Sequence, residues 1–241
     1  MKRFLLCVLL ALGMLGQSAA AQAVAKEQQS AASVVAGDGT SDNATAVVRG
    51  WNRPYVSFNA SKVNSSVNDL LDFDLRGFTL GWLRGFGIAK KVPLYLEAGA
   101  GLQFRTMKEG IDMADGSDVA SLDTRINLLS LHIPVSLIYR FTLPGGLSVS
   151  PYAGLDFRAN LMGKLKVDAS FNDMSDGLDI SLFDKGDMDD HPWNRCQGGW
   201  HAGVGFDYGI VHVGVDYGRD FNELGENMTM GTTSVTVGLN F

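Results

Sequence analysis

From Trp51 to the C-terminus, apolar side chains recur at every second position in eight separate stretches, at residues 55–63, 77–88, 94–105, 129–141, 147–161, 199–209, 210–218 and 232–241. A period of two marks a β-strand whose faces meet different surroundings. The third stretch, LYLEAGAGLQFR, alternates without a break: Leu94, Leu96, Ala98, Ala100, Leu102 and Phe104 point one way, Glu97, Gln103, Arg105 and the glycines the other. Five further stretches repeat the rule, four of them with a charged or imidazole residue on the second face. In order these are His132 and Arg140; Asp156 and Arg158; His201 and Asp207; His212 and Asp216; and, without charge, Ser234 to Asn240 opposite Val235 to Phe241.

The chemistry of the two faces decides between two barrels. A soluble lipocalin-type barrel alternates as well, but hides its apolar face inside and shows its polar face to water. Here one face is nearly all Leu, Val, Phe, Trp and Tyr, and the other mixes glycine with both signs of charge, which suits lipid outside and a polar lumen inside. The links also alternate. Those after the second, fourth and sixth stretches are short (AKKVP, TLPGG and a corner at residues 208–210), and those after the others are long and polar. The pattern predicts an all-β fold, an eight-stranded antiparallel up-and-down transmembrane β-barrel with both termini on the periplasmic side.

The first residues fit that destination. MKRFLLCVLLALGMLGQSAAAQA carries a charged start (Lys2, Arg3), a short apolar run and a small-residue cleavage region, the three parts of a secretory signal peptide. Cleavage after Ala21 or Ala23 fits equally well, and Ala23 is taken as the boundary. The apolar run is too short for a comfortable helical span, which argues against an uncleaved anchor. Cys7 sits inside the run and so marks no lipid attachment. Its removal leaves Cys196 as the one cysteine of the mature chain, so no internal disulfide is expected there. Loss of Lys2 and Arg3 takes the formal net charge from −6 to −8, which disfavours a nucleic-acid partner. Three segments result: residues 1–23 signal peptide, 24–50 a flexible periplasmic lead-in rich in Ala, Ser and Gln, and 51–241 the barrel.

Aromatic residues near strand ends, Tyr55, Phe104, Tyr139, Phe141, Phe157, Trp200, Tyr208, Tyr217 and Phe241, suit girdles at the two lipid interfaces. Three positions resist the scheme. Arg84 falls on the lipid face, where snorkelling would relieve it, while Pro134 and a parity slip near Leu128 suggest a bulge.

With these strands in place, the chain from Trp51 onward resembles the PorT-like family of small bacterial outer-membrane β-barrels. The segments that carry the likeness are LHIPVSLIYRF (131–141), GLDFR (154–158) and the terminal VTVGLNF, together with the signal peptide. The resemblance implies a Gram-negative outer membrane and the barrel fold; one branch of the family is linked to protein secretion. Phe241 also looks like the C-terminal aromatic signal read by the outer-membrane barrel assembly machinery, the other reading being a plain interfacial anchor. The expected partners are therefore that machinery, outer-membrane lipid and lipopolysaccharide, with any protein partner unidentified.

Candidate chemistry is confined to the lumen and one loop. The inward set Glu97, Arg105, His132, Arg140, Asp156, Arg158, His201, Asp207, His212 and Asp216, joined by Arg125, carries both signs, which favours a cross-linked polar plug over a single-sign pore. The many inward glycines keep a narrow passage as the alternative. The three histidines show no nucleophile at a recognisable spacing, Ser136 being a neighbour in sequence alone, so no catalytic residue, metal or cofactor is expected. The link between the fifth and sixth strands carries Asp173, Asp176, Asp179, Asp184, Asp187, Asp189 and Asp190 without a calcium-loop spacing. It is expected as a solvated acidic loop, or as a divalent-cation bridge to lipopolysaccharide phosphates, with Ile180, Leu182 and Phe183 as a packed patch or a partner surface. The reading that results is a non-enzymatic outer-membrane scaffold that acts through its outer loops, with a small pore next and a lipid-modifying enzyme a distant third.

Overall fold

A strand in a bilayer finds no water for its backbone, so its N–H and C=O groups pair only if the sheet has no edge. The computed structural model describes residues 50–66, 72–89, 92–115, 118–171, 174–184 and 192–241. The signal segment and most of the lead-in lie outside them. Among the described residues there are ten strands: β1 (Gly50–Ser65), β2 (Phe73–Gly87), β3 (Leu94–Asp115), β4 (Asp118–Tyr139), β5 (Phe141–Thr142), β6 (Leu147–Phe171), β7 (Met174–Ser181), β8 (Cys196–Tyr208), β9 (Val211–Asp220) and β10 (Met228–Leu239). Eight of them form a ring in the order β1, β2, β3, β4, β6, β8, β9, β10, every pairing antiparallel. The first and last strands close it, with Val56 opposite Val237. Beyond the last strand, Phe241 and Asn52 exchange both backbone hydrogen bonds at 2.9 Å.

The ring is staggered. A walk across paired residues from Trp51 runs through Gly85, Glu97, Ser136, Gly154, His201, Gly218 and Thr232 and returns to β1 at Ser61 instead of Trp51. That offset is the shear that tilts the strands about the barrel axis. The tilt brings residues distant in sequence, such as Glu97 and Trp51, into one slice of the lumen.

Burial is inverted relative to a water-soluble domain. Ser57, Thr79, Gln103 and Thr236 are buried, while the residues beside them on the same strands, Phe58, Leu80, Leu102 and Val237, are exposed. The exposed apolar belt runs unbroken around the ring, which only lipid accommodates. At the short-turn end the strands reverse tightly. The β8–β9 turn has Gly209 at φ 59°, the positive value that the first position of a type II′ hairpin turn needs.

Several expectations are corrected. The links after the third and fifth stretches are not loops: β3 and β4 run on as one hairpin to Asp115 and Asp118, and β6 continues to Phe171 and pairs there with β7. Those extensions are polar on their outward face, so they lack the two-sided contrast by which the belt was recognised. Arg125 belongs to this extension and is exposed outside the lumen. Tyr55 is buried inside the barrel and takes no part in a girdle, as the parity of its own strand dictates, whereas Tyr139, Tyr208, Tyr217 and Phe241 are exposed. The bulge sits in β6, where Leu161 is the extra residue opposite Leu129 and Ser130; Pro134 stays in register and faces the lumen. Strand pairing begins at Gly50, one residue before the expected boundary.

A charge placed in the middle of the belt tests its solvent. Leu80→Arg in the barrel refolded into phospholipid vesicles is expected to cost about 2–4 kcal/mol of unfolding free energy. A loss below about 0.5 kcal/mol in urea titrations, the usual result at a water-facing surface, would contradict lipid at that position.

Candidate functional site

Alternation sends every second side chain inward, and the shear stacks these side chains into tiers. The tier nearest the short turns is built around Arg53. Its guanidinium lies 3.0 Å from Glu97 and 3.7 Å from Asp207, and its Nε donates to Asn240 Oδ1 at 2.7 Å. Trp51 Nε1 donates to Glu97 at 2.6 Å, and Arg140 stands 3.6 Å from Asp207. His212 joins through both ring nitrogens, Nδ1 at 2.8 Å from Asp207 and Nε2 at 3.3 Å from Arg53. Since Arg53 can only donate, Nε2 accepts and Nδ1 carries the proton. Two cations and two carboxylates neutralise one another here, with Trp51, Tyr95 and Ile138 packed beside them.

The middle tier holds Asp156 between two histidines. His132 Nε2 lies 2.8 Å from Asp156 Oδ1, and His201 Nδ1 lies 2.9 Å from Oδ2, the latter contact off the line of a hydrogen bond. His201 Nε2 is 2.7 Å from Ser136 Oγ. Tyr152 donates to Asp216 at 3.2 Å. Ser136, His201 and Asp156 thus follow one another in the order of a serine-hydrolase relay. The sequence reading missed Ser136. Its parity placed it inward, but the stagger that carries it to His201 shows only once the strands are in register.

The outer tier pairs Arg158 with Asp220 in a close ionic contact. Gln197 donates to the same carboxylate at 3.1 Å and accepts from Asn160, which also accepts from Ser130 at 2.7 Å. Arg105 is fully buried nearby, its Nη1 reaching Met230 Sδ at 2.8 Å. Of the ten inward residues expected, the structure joins Glu97, Arg140, Asp207 and His212 in one tier and His132, Asp156, His201 and Asp216 in the next. Arg158 and Arg105 stand beyond them.

Two features limit what passes through. A cavity of about 90 Å³ lies along the tiers, lined by Tyr55, Gln103, Asp156, His201 and Asp216 among others. The inward glycines do not widen it: a Cβ on Gly81 would come within 2.7 Å of Tyr55 Cε1, and one on Gly205 within 2.6 Å of His212 Cε1. Their missing side chains make room for rings. Above the outer tier, Leu182, Phe183 and Trp193 from the β7–β8 link and Leu224 from the β9–β10 link fold in on Val63, Leu75, Met107, Ile126, Leu128 and Met230. This apolar cap closes the long-hairpin end; of Ile180, Leu182 and Phe183, expected as a packed patch or a partner surface, Leu182 and Phe183 pack into it.

Outside, the belt ends at a row of cations. Lys108 faces Arg125, and Arg125 faces Lys166, directly across neighbouring strands, with Arg76, Lys164 and Lys62 exposed close by. Lys166 pairs with Asp179 at 3.1 Å, and Arg195 stands 3.6 Å from Asp184. The expected acidic loop is thus partly spent in ion pairs. Asp173, Asp187, Asp189 and Asp190 lie outside the described residues, and the side chain of Asp176 is not described. Among the described residues no group of three His, Cys, Asp or Glu side chains is placed to hold a metal ion.

No known protein family and no curated protein matches the chain. Solved structures similar to it include Ail, the attachment invasion locus protein of Yersinia pestis, crystallised with the heparin analogue sucrose octasulfate. It is 15% identical, with 80% of this chain and 100% of that one covered and a TM-score of 0.42. Neisserial surface protein A is also 15% identical, covering 80% and 98% at a TM-score of 0.41. The N-terminal β-barrel domain of Pseudomonas aeruginosa OprF is 14% identical, covering 80% and 99% at 0.32. Likenesses this distant carry no weight for function, and the fold rests on the strand ladder itself.

Removing one partner from a buried ionic cluster leaves the others uncompensated. Arg53→Met is expected to lower unfolding free energy by about 3–5 kcal/mol. Lys62→Met, which breaks an exposed 3.8 Å pair with Asp72, should cost about 1 kcal/mol or less. Equal costs in urea titrations would mean the Arg53 cluster is hydrated and weak.

Proposed function

We propose that this chain is a sealed, non-enzymatic barrel of a Gram-negative outer membrane, a scaffold whose work is done by the strands it raises above the lipid. The observation that carries this reading is the closure of the lumen. The Arg53 cluster and the Trp51–Tyr95–Ile138 packing fill one end and the apolar cap fills the other. An ion crossing this path would have to part buried charge pairs and then enter a hydrocarbon plug, so the pore reading loses support. Short turns and both termini belong on the periplasmic side and the long hairpins outside, the usual arrangement of such barrels. The three segments 131–141, 154–158 and the terminal strand remain what speaks for PorT-like kinship. The exposed ring of Phe241, at the closing seam beside Asn52, suits the signal that the barrel assembly machinery reads.

The cation row supports lipopolysaccharide as partner. Like charges directly opposite on neighbouring strands repel, and Lys108, Arg125 and Lys166 follow the apolar belt on the outward face, which in this reading puts them level with outer-leaflet phosphates. Phosphate oxygens bridging them would turn that repulsion into binding.

The Ser136 relay does not favour an enzyme. Ser136 is 5% exposed, and it sits in the ladder between Glu97 and Gly154. Asp156 is divided between two histidines, and the backbone N–H groups from which an oxyanion hole would be built are engaged in strand pairing.

Refolded into a planar bilayer, with insertion verified by heat-modifiable gel mobility, the protein should give no discrete current steps, and a fluorophosphonate probe should leave Ser136 unlabelled. Reproducible conductance would restore the pore, and labelling lost in Ser136→Ala would restore the enzyme. In vesicles containing lipopolysaccharide the unfolding midpoint should rise above that in plain phospholipid. The triple variant Lys108→Gln, Arg125→Gln, Lys166→Gln should lose most of that rise; if the variant keeps it, the cation row is not the lipid site.

A further inference from the structure

On the outer wall of the barrel, alternation leaves one bare position between two rings. Gly198 of β8 lies on the outward face, between the buried Gln197 and Gly199. Phe157 of β6 stands directly opposite it on one side. On the other side is Phe221, whose backbone N–H donates to Gly198 O at 2.8 Å. A Cβ built on Gly198 would meet nothing nearer than Asp156 O at 4.0 Å. The stems of Phe157 and Phe221 are two strand spacings apart, about 10 Å, so the glycine is the floor of a groove with a ring on each wall. Trp200, the next outward residue of β8, leans away on Tyr217, with ring centroids 6.0 Å apart.

The Phe221 wall is fixed in place. Along the outward line of β9, Val211, Val213, Val215 and Tyr217 belong to the apolar belt, Arg219 ends it, and Phe221 stands beyond, 67% exposed. Asn222 clamps this turn to β8: its Oδ1 accepts from Gly198 N at 2.8 Å, and its Nδ2 donates to Cys196 O at 2.9 Å. The clamp orders a ring that buries little of itself against this chain, so the ordering benefits contact with a molecule outside.

The groove ends in charge. Arg219 lies directly opposite Trp200 and, on its other side, faces Lys62 across Gly231. Its Nη2 donates to Thr229 Oγ1 at 3.4 Å, and among the described residues it enters no ion pair. Lys62 is exposed and has only the 3.8 Å contact with Asp72. Rings continuous with the belt and cations at its margin match a molecule with hydrocarbon at one end and negative charge at the other.

We propose that the Gly198 groove seats one phosphorylated glycolipid of the outer leaflet. An acyl chain lies over Gly198 between Phe157 and Phe221, and the sugar phosphate is held by Arg219 with Lys62. The seat rests on the outer-membrane reading above. Its cations stand on β9 and β1, apart from the Lys108–Arg125–Lys166 row on β3, β4 and β6.

The lipid A moiety of lipopolysaccharide is the probe, used with and without its phosphates. The mature protein is refolded in detergent, folding is confirmed by heat-modifiable gel mobility, and bound lipid is counted by native mass spectrometry as lipid A is titrated. The background is the variant Lys108→Gln, Arg125→Gln, Lys166→Gln, in which the row contributes nothing, and one lipid A per barrel is expected there. Gly198→Leu fills the groove at a position where a Cβ has room. It should lower the association constant about ten-fold, as should Arg219→Gln or removal of the phosphates. If the triple variant binds as much lipid A as the unaltered protein and Gly198→Leu abolishes it, the row reading fails and this one stands. A triple variant that binds none overturns the seat and leaves the row as the lipid site. Affinity unchanged in Gly198→Leu also overturns it and leaves Phe221 to a protein partner. Should Gly198→Leu fail to fold, Arg219→Gln and the dephosphorylated lipid still decide.

Discussion

Everything in this molecule follows from the pairing of β1 with β10. An open sheet in lipid would leave a row of N–H and C=O groups without partners at each edge, each costing several kcal/mol. Closing the ring removes both edges at once, at the cost of bringing residues near position 55 together with those near 238 across most of the chain. Closure also divides the side chains. Once the sheet is a cylinder, alternation is no longer a preference but a partition, and each residue is committed to lipid or to lumen.

The lumen that results is too narrow for solvent to do the work of neutralisation, so the side chains do it for one another. Glu97 lies on β3, Arg53 on β1, Asp207 on β8 and His212 on β9, and the stagger of the strands draws all four into one slice. Such clusters add little net stability compared with apolar packing of the same volume, but they punish the loss of a member and so hold the register. Glycine opposite a ring has a matching role: Gly81 and Gly205 let Tyr55 and His212 lie flat against the wall. The barrel is filled from within by polar residues and stoppered by apolar ones, the reverse of its exterior.

Much of this was legible in the residues. LYLEAGAGLQFR announces a strand between lipid and lumen without help from any other segment, and the alternation of short and long links orders the eight strands. What was not legible depends on relations across the ring. Beyond Thr106 and Asn127 the strands face water on their outer side, the apolar signal stops, and a hairpin reads as a loop. What Leu182, Phe183 and Trp193 pack against is not written in their acidic link, because the cap they complete is drawn from six other parts of the chain. Ser136 and Arg105 were assigned to the correct face, but their partners, or the lack of one, are set by the stagger, which no local pattern encodes.

The extension of β3, β4, β6 and β7 beyond the belt has a thermodynamic consequence for whatever meets this surface. Outer loops in most barrels wander, and a partner must halt that motion before it can bind, losing backbone freedom of about 1–2 kcal/mol for each residue stilled. Here Lys108, Arg125, Lys166 and Asp179 ride on a hydrogen-bonded sheet continuous with the wall of the barrel. Their spacing is set during folding, so association spends little on ordering this chain, and the selectivity of the surface becomes a matter of matching a fixed pattern of charge.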